Sequence, residues 1–169
     1  MRRIIYISGG ERSGKSDFAQ RMAEELSAEP IYLATARCWD DEFRTRIDKH
    51  KAARGEQWSL IEEERELSRH LLTGRVVMMD CVTLWLTNIF CDLEMDGARS
   101  LEVARAEWDR FVAQDFTLIV VSNEIGQGVI PMERSTRQFV DLQGSMNQYI
   151  ARMADEAYTL ISGLPLQLK

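Results

Sequence analysis

Cysteine is scarce in this chain of 169 residues: Cys38, Cys81 and Cys91 form no C-x-x-C pair and leave one thiol over in any disulfide scheme. A disulfide scaffold is excluded, and the reading is a protein of a reducing, cytoplasmic compartment. With only 3 prolines and 10 glycines, the composition is neither collagen-like nor disordered. Basic residues are outnumbered, 21 against 27 acidic ones, for a net charge of −6. Nucleic acid is therefore not expected as the main partner, and a bound anion must be held by local geometry rather than by the global field. Nowhere do about 18 apolar residues run together, so no membrane span is expected. The apolar stretch Ile4-Ile5-Tyr6-Ile7 after Arg2-Arg3 is too short for a signal peptide. What is present in quantity is hydrophobic residues, at 45%. That is enough for one domain over residues 1–169, burying roughly 70% of the unfolded chain's surface without a staple.

No repeat, low-complexity tract or linker divides the chain. Short apolar runs with β-branched character occur at 3–8, 30–35, 75–80, 116–122 and 157–162, and 164–169 is a candidate edge strand. Several are apolar almost throughout, as in Leu118-Ile119-Val120-Val121, the pattern of strands covered on both faces. Helical periodicity falls between them, at 15–26, 41–53, 62–72, 84–93, 101–111 and 135–155. Gly144 interrupts the last of these and marks either a kink or a close packing contact. Strand–helix alternation implies a three-layer α/β domain with a mainly parallel central sheet, whose ligands bind beyond the carboxyl ends of the strands.

The first such strand end carries Gly9-Gly10-Glu11-Arg12-Ser13-Gly14-Lys15-Ser16, which fits G-x-x-x-x-G-K-[ST] between a strand and a helix. Glycines let successive N–H groups turn inward on phosphate oxygens, and the helix N-terminus adds about half a positive charge. Lys15 is placed to reach the β- and γ-phosphates and Ser16 to ligate Mg²⁺. This makes the domain a P-loop NTPase of the RecA-like kind. Asp80, after Val76-Val77-Met78-Met79, occupies the Walker-B position near the metal; the lesser alternative is a strand-terminal Asp capping the next turn, and the phosphate loop favours the metal reading. No Asn-Lys-x-Asp follows the late strand, as a guanine-reading GTPase would require, and no Arg-rich lid stands out. Arg134 and Arg137 read as a solvated face.

The expected helix after the second strand has an acidic start and a basic finish before Gly55. Phe43, Ile47 and His50 share one face. On the residues alone, His50 reads first as a histidine at the edge of an apolar face. The alternative is a nucleophile, since Arg46, Lys51 and Arg54 would favour bound phosphate and a neutral imidazole is available at pH 7. His70, the only other histidine, has no comparable neighbours.

Several segments together resemble one family. They are the phosphate loop, Tyr32-Leu33-Ala34-Thr35, Arg46-Ile47-Asp48-Lys49-His50-Lys51 with Arg54 and Trp58, Asp80-Cys81-Val82-Thr83, and the run from Ser122-Asn123-Glu124 to Pro131. In this order, with Asn147-Gln148 and Ser162-Gly163, the chain is similar to the bifunctional adenosylcobinamide kinase/adenosylcobinamide-phosphate guanylyltransferases. The resemblance implies phosphorylation of a corrinoid hydroxyl, then transfer of GMP from GTP, with ATP and GTP as substrates and Mg²⁺ as the metal. It also implies that His50 carries GMP and that Ala34, Thr35, Ala36, Lys51, Ala52, Ala53, Arg54 and Glu62 contact the guanine nucleotide. A homo-oligomer, usually a trimer, belongs to the same expectation. The chain departs from the pattern at Glu11, where Ala is common, at Lys49, often a second histidine, and at Asp80, where Glu is common. Two rival readings are a kinase of another small metabolite and a non-catalytic nucleotide-dependent module.

Overall fold

The structure, a computed structural model, describes residues 1–37 and 55–169. The expected helix over 41–53, with His50, Lys51, Ala52, Ala53 and Arg54, lies outside the described residues.

The order is β1 (Arg3–Gly9), α1 (Lys15–Leu26), β2 (Ile31–Ala34), β3 (Ser59–Glu62), a 3-10 turn (Leu67–Arg69), β4 (Val76–Asp80), α2 (Val82–Asp92), α3 (Gly97–Phe111), β5 (Thr117–Asn123), α4 (Arg134–Met153), β6 (Glu156–Ile161) and β7 (Leu164–Gln167). The strands form one seven-stranded sheet in the order β3-β2-β4-β5-β1-β6-β7. Every pairing is parallel except β6 with β7. The three-layer, mainly parallel expectation is borne out, and so is the edge strand at 164–169.

Alternation along each strand sends successive side chains to opposite faces. Ile5, Ile7, Met78, Ile119 and Val121 pack with Ala19 and Ala23 of α1, whose small side chains let that helix lie close. Ile4, Tyr6, Val77, Met79, Leu118 and Val120 meet Trp85 and Leu86 of α2, Trp108 of α3 and Met146 and Ile150 of α4 on the other face. The central strands β1, β4 and β5 are covered on both faces, which is why they are apolar at almost every position. Helix α4 runs unbroken through Gly144, and a Cβ there would meet nothing within 4 Å, so this glycine marks neither of the features expected of it.

One expected element is overturned. Residues 62–72 form no helix: Glu62 ends β3, and only Leu67–Arg69 turns, as a 3-10 segment. The reason is local competition for the backbone. Glu63 Oε1 accepts from the N–H of Arg65 (3.0 Å) and of Glu66 (2.9 Å), donors that a helix would spend on itself. Glu63 Oε2 lies 3.1 Å from His70 Nε2, in line with a structural rather than a site role for His70. Partial burial pushes the Glu63 carboxyl up, but the two N–H groups, His70 and Arg69 outweigh it and hold it below the usual range.

Beside this turn, Arg37 straddles Asp92 with two bonds (2.8 and 3.0 Å) and reaches Glu64 (2.6 Å), while Arg65 adds a third bond to Asp92 (3.0 Å). Arg37 first, and Arg65 with it, hold the Asp92 carboxyl down at about 2. A carboxylate lowered on folding stabilises the protein above its ordinary value, and that contribution is lost as pH falls toward the folded one. Asp92→Asn is therefore expected to cost on the order of 1 kcal/mol near neutral pH, after allowing for solvent screening. Urea titrations at a series of pH values should show the gap to wild type shrinking between about pH 4 and pH 2; a gap independent of pH would mean that charge is not the cause.

Candidate active site

The phosphate loop is built from backbone that only glycine tolerates at two points. Gly9 has φ +154°, and a Cβ there would stand 2.8 Å from the Leu160 carbonyl; Gly14 has φ +90°, with the Gly163 Cα 3.2 Å from its would-be Cβ. Gly163, in the two-residue turn Ser162-Gly163 of the β6–β7 hairpin, donates its N–H to the Ser13 carbonyl at 2.9 Å. The hairpin thus braces the loop from behind. Helix α1 then starts with no side-chain cap, in contrast to α3, where Asp96 accepts from Arg99 N–H at 3.0 Å. Uncapped N–H groups at a helix start are donors for an anion. Ser13 Oγ, also in the loop, is buried without a hydrogen-bond partner, the signature of a cradle shaped for a polar guest.

Lys15 is buried at 7% exposure, and its Nζ donates to the Gly10 carbonyl at 2.6 Å, across the mouth of the loop. Burial lowers the ammonium's pKa, opposed by the negative fields of Glu11 and Asp80. Glu11 and Arg12 are exposed, and the Glu11 charge acts on Lys15. Asp80 ends β4, two positions along the sheet from β1 because β5 lies between them. Its Oδ2 accepts from Ser16 Oγ at 3.1 Å and from Tyr32 hydroxyl at 3.0 Å. A hydroxyl and a carboxylate side by side at a phosphate loop are hard oxygen donors of the type Mg²⁺ takes. Among the described residues no group of three or more His, Cys, Asp or Glu could hold a metal.

Ala34, Asp80 and Glu62 share one rung at the carboxyl edge, Ala34 being paired with both. Thr35 is buried and spent on structure: its Oγ1 donates to the Cys81 carbonyl (2.7 Å) and accepts the Cys81 N–H (2.8 Å). Asn88, inside α2, donates to the Thr35 carbonyl (2.8 Å) and the Glu64 carbonyl (3.0 Å). These bonds lock the ends of β2 and β4 together and fix where Asp80 emerges. Burial, then the Asp80 charge, pushes the Cys81 thiol up to about 12, which removes it as a nucleophile. Ala36 is half-buried beyond Thr35, and exposed Glu62 sits four strand positions from Gly9, roughly 19 Å across the sheet at the usual strand spacing. The fold therefore brings Gly9, Gly10, Ser13, Gly14, Lys15, Ser16 and Asp80 together, and sets Ala34, Ala36 and Glu62 along a second stretch of the same edge.

In the sequence, Tyr32, Thr83, Ser122, Asn123 and Asn147 figure only as parts of the segments that carry the resemblance, with no role given to any of them; the structure joins the last four, with Gln143, in a polar bar under β5. There Asn123 N–H and Nδ2 donate to Thr83 Oγ1 (3.1 and 3.0 Å), and Asn147 Nδ2 donates to the Asn123 carbonyl (3.1 Å). Ser122 Oγ donates to Asn147 Oδ1 (2.6 Å) and accepts from Gln143 (3.0 Å). The available signal was polar residues at apolar-face positions, Asn88 in α2 and Gln143 and Asn147 in α4, all buried.

Residues 5–168 match the profile of the cobinamide kinase / cobinamide phosphate guanyltransferase family. The chain belongs to that family. It is 38% identical over 170 residues to the bifunctional adenosylcobalamin biosynthesis protein CobP of Pseudomonas aeruginosa, covering 96% of this chain and 95% of the relative. It is 31% identical to the bifunctional adenosylcobalamin biosynthesis protein CobU of Escherichia coli, covering 98% and 99%. In fold it is similar to an ATPase of a type III secretion system, with a TM-score of 0.60 at 12% identity, covering 98% of this chain and 56% of that one. That likeness extends the P-loop NTPase fold well beyond the family. No helix among the described residues is long and apolar enough to cross a membrane.

Proposed function

We propose that the two activities of this cobinamide kinase and guanyltransferase are joined by a guanylyl-histidine at His50. The kinase half belongs to the phosphate loop, and the observation that carries it is the Ser16–Asp80 contact beside an uncapped, glycine-shaped anion cradle. ATP or GTP lies with its phosphates against the loop's N–H groups, and Lys15 balances the charge that develops as the γ-phosphoryl group leaves. Ser16 and Asp80 would hold Mg²⁺, which supplies charge neutralisation on the phosphates. The corrinoid hydroxyl then attacks the γ-phosphorus; the bond to the β,γ-bridging oxygen breaks, the nucleoside diphosphate leaves and the hydroxyl proton passes to solvent, giving adenosylcobinamide phosphate.

In the second half, a neutral ring nitrogen of His50 attacks the α-phosphorus of GTP. A P–N bond forms, the bond to the bridging oxygen breaks, and pyrophosphate leaves. A phosphate oxygen of adenosylcobinamide phosphate then attacks the same phosphorus, producing adenosylcobinamide-GDP and freeing the histidine. Arg46, Lys51 and Arg54 surround His50 in sequence and suit a triphosphate, and Ala34, Ala36 and Glu62 supply the second stretch of edge on which a guanine nucleotide would lie. The functional unit is a homo-oligomer, a trimer by family resemblance.

Intact-mass measurement after incubation with GTP and Mg²⁺ tests the reading. The protein is expected to gain one GMP through a bond labile to acid and comparatively stable to alkali, and to lose it on addition of adenosylcobinamide phosphate. No adduct under any condition, with small-molecule phosphorylation intact, would leave a plain kinase.

A further inference from the structure

We propose that Tyr32 is the positioning residue of the metal carboxylate. The inference rests on the reading of Asp80 as a ligand, direct or through water, for the divalent cation of the kinase half. Asp80 Oδ2 receives two hydroxyls, Ser16 from the loop and Tyr32 from the neighbouring strand β2, at 3.1 and 3.0 Å. Their roles differ. Ser16 sits on the first turn of α1 and is itself a candidate ligand, so its oxygen faces the cation when one is bound. Tyr32 comes from the side of the sheet and has no such duty, so its bond to Oδ2 sets the rotation of the carboxylate whether or not the metal is there.

The tyrosine is in turn held. It is 7% exposed, and its ring meets Trp58 edge-on at 6.4 Å and 78°. Trp58 Nε1 donates to Glu24 Oε1, near the far end of α1, at 2.9 Å. A ring buried on one side and braced on the other leaves the hydroxyl little freedom, the usual architecture of an outer-shell partner that orients a ligating group. The demand is greater here because the carboxylate is aspartate, one methylene shorter than glutamate, and its oxygens swing on fewer bonds.

The test is binding of Mn²⁺ as a spectroscopic substitute for Mg²⁺, followed by electron paramagnetic resonance on the full-length protein saturated with a non-hydrolysable GTP analogue. Asp80→Ala establishes that Mn²⁺ reads this carboxylate at all; if that variant binds Mn²⁺ as wild type does, the metal reading of Asp80 fails and this inference with it. Given a loss there, Tyr32→Phe is expected to weaken Mn²⁺ about tenfold, with metal-free melting shifted by no more than about 3 °C. In the Asp80→Ala background the same change should do nothing further, because the hydroxyl acts through the carboxylate. Trp58→Phe, which loosens Tyr32 from a distance, should give a smaller weakening in the same direction and serves if Tyr32→Phe does not fold. Unchanged Mn²⁺ affinity in Tyr32→Phe, or an equal loss with and without Asp80, would overturn the assignment while leaving the metal site itself standing. In the fallback case, unchanged affinity in Trp58→Phe would overturn it.

Discussion

His50→Asn is expected to eliminate the GMP adduct and to slow guanylyl transfer on the order of 10³-fold or more, because without a nucleophile no intermediate forms and only direct attack on GTP remains. Asparagine keeps a polar side chain of similar length, so the fold should hold. Phosphorylation of the corrinoid hydroxyl needs no histidine, and kinase turnover is expected to stay near wild type. The separation of the two activities is the informative result. It is read by following adenosylcobinamide phosphate and adenosylcobinamide-GDP in parallel. Transfer at the wild-type rate, or an adduct that maps to His70 or to a lysine, would overturn the mechanism.

Lys15→Ala is the second large effect, and it should strike the loop rather than the fold. Removing a cation that meets developing phosphoryl charge costs about 3 kcal/mol, or roughly 10²–10³ in kcat of the kinase step. The structure adds an opposite effect on stability. A lysine whose pKa is lowered on folding is a net cost at neutral pH, and that cost is relieved only as the pH climbs through the lowered value. Taking the buried ammonium away should therefore leave the melting temperature of the free enzyme unchanged or raised. Stabilisation by nucleotide, about 2.7 kcal/mol at a hundredfold excess over Kd, should largely vanish in the same variant. A free enzyme that melts much earlier, with nucleotide stabilisation intact, would mean that Lys15 serves packing instead.

Much of the sheet was legible in advance because parallel strands covered on both faces have to be apolar at nearly every position, and β1, β4 and β5 are. The phosphate loop was legible for a similar reason: its backbone admits only glycine at two of its turns, so its chemistry is written in residue type. β3 was not. Its four residues, Ser59-Leu60-Ile61-Glu62, lie at the sheet's edge and are mostly exposed, so no burial pattern marks them. The acidic run after them looks helical until Glu63 takes the N–H groups a helix would use. Tyr32 stood in a segment that carries the family resemblance, yet no role was legible there, because nothing local distinguishes a tyrosine that packs in a core from one whose hydroxyl meets a carboxylate 48 residues away. The Thr35–Cys81–Asn88 clasp and the Thr83–Asn123–Asn147 bar are of the same kind. They are made by partners that only the topology introduces to each other.

That topology bears on how the enzyme is born. β1 carries the phosphate loop and lies between β5 and β6, whose residues follow it by more than a hundred positions, and the turn at Gly163 closes on Ser13 later still. On a translating ribosome the anion cradle therefore emerges as bare glycine-rich chain and stays so until β5, β6 and the turn at Gly163 have been made. Such distant pairings pay their loop-closure entropy before they return any contact, which makes assembly slow. In the interval β1 is apolar on both faces and unpaired, the state in which nascent chains associate with one another. Nucleotide cannot rescue that state, because its binding surface is among the last features to form. Yield in the cell should accordingly respond to slower synthesis or added chaperone rather than to the supply of GTP.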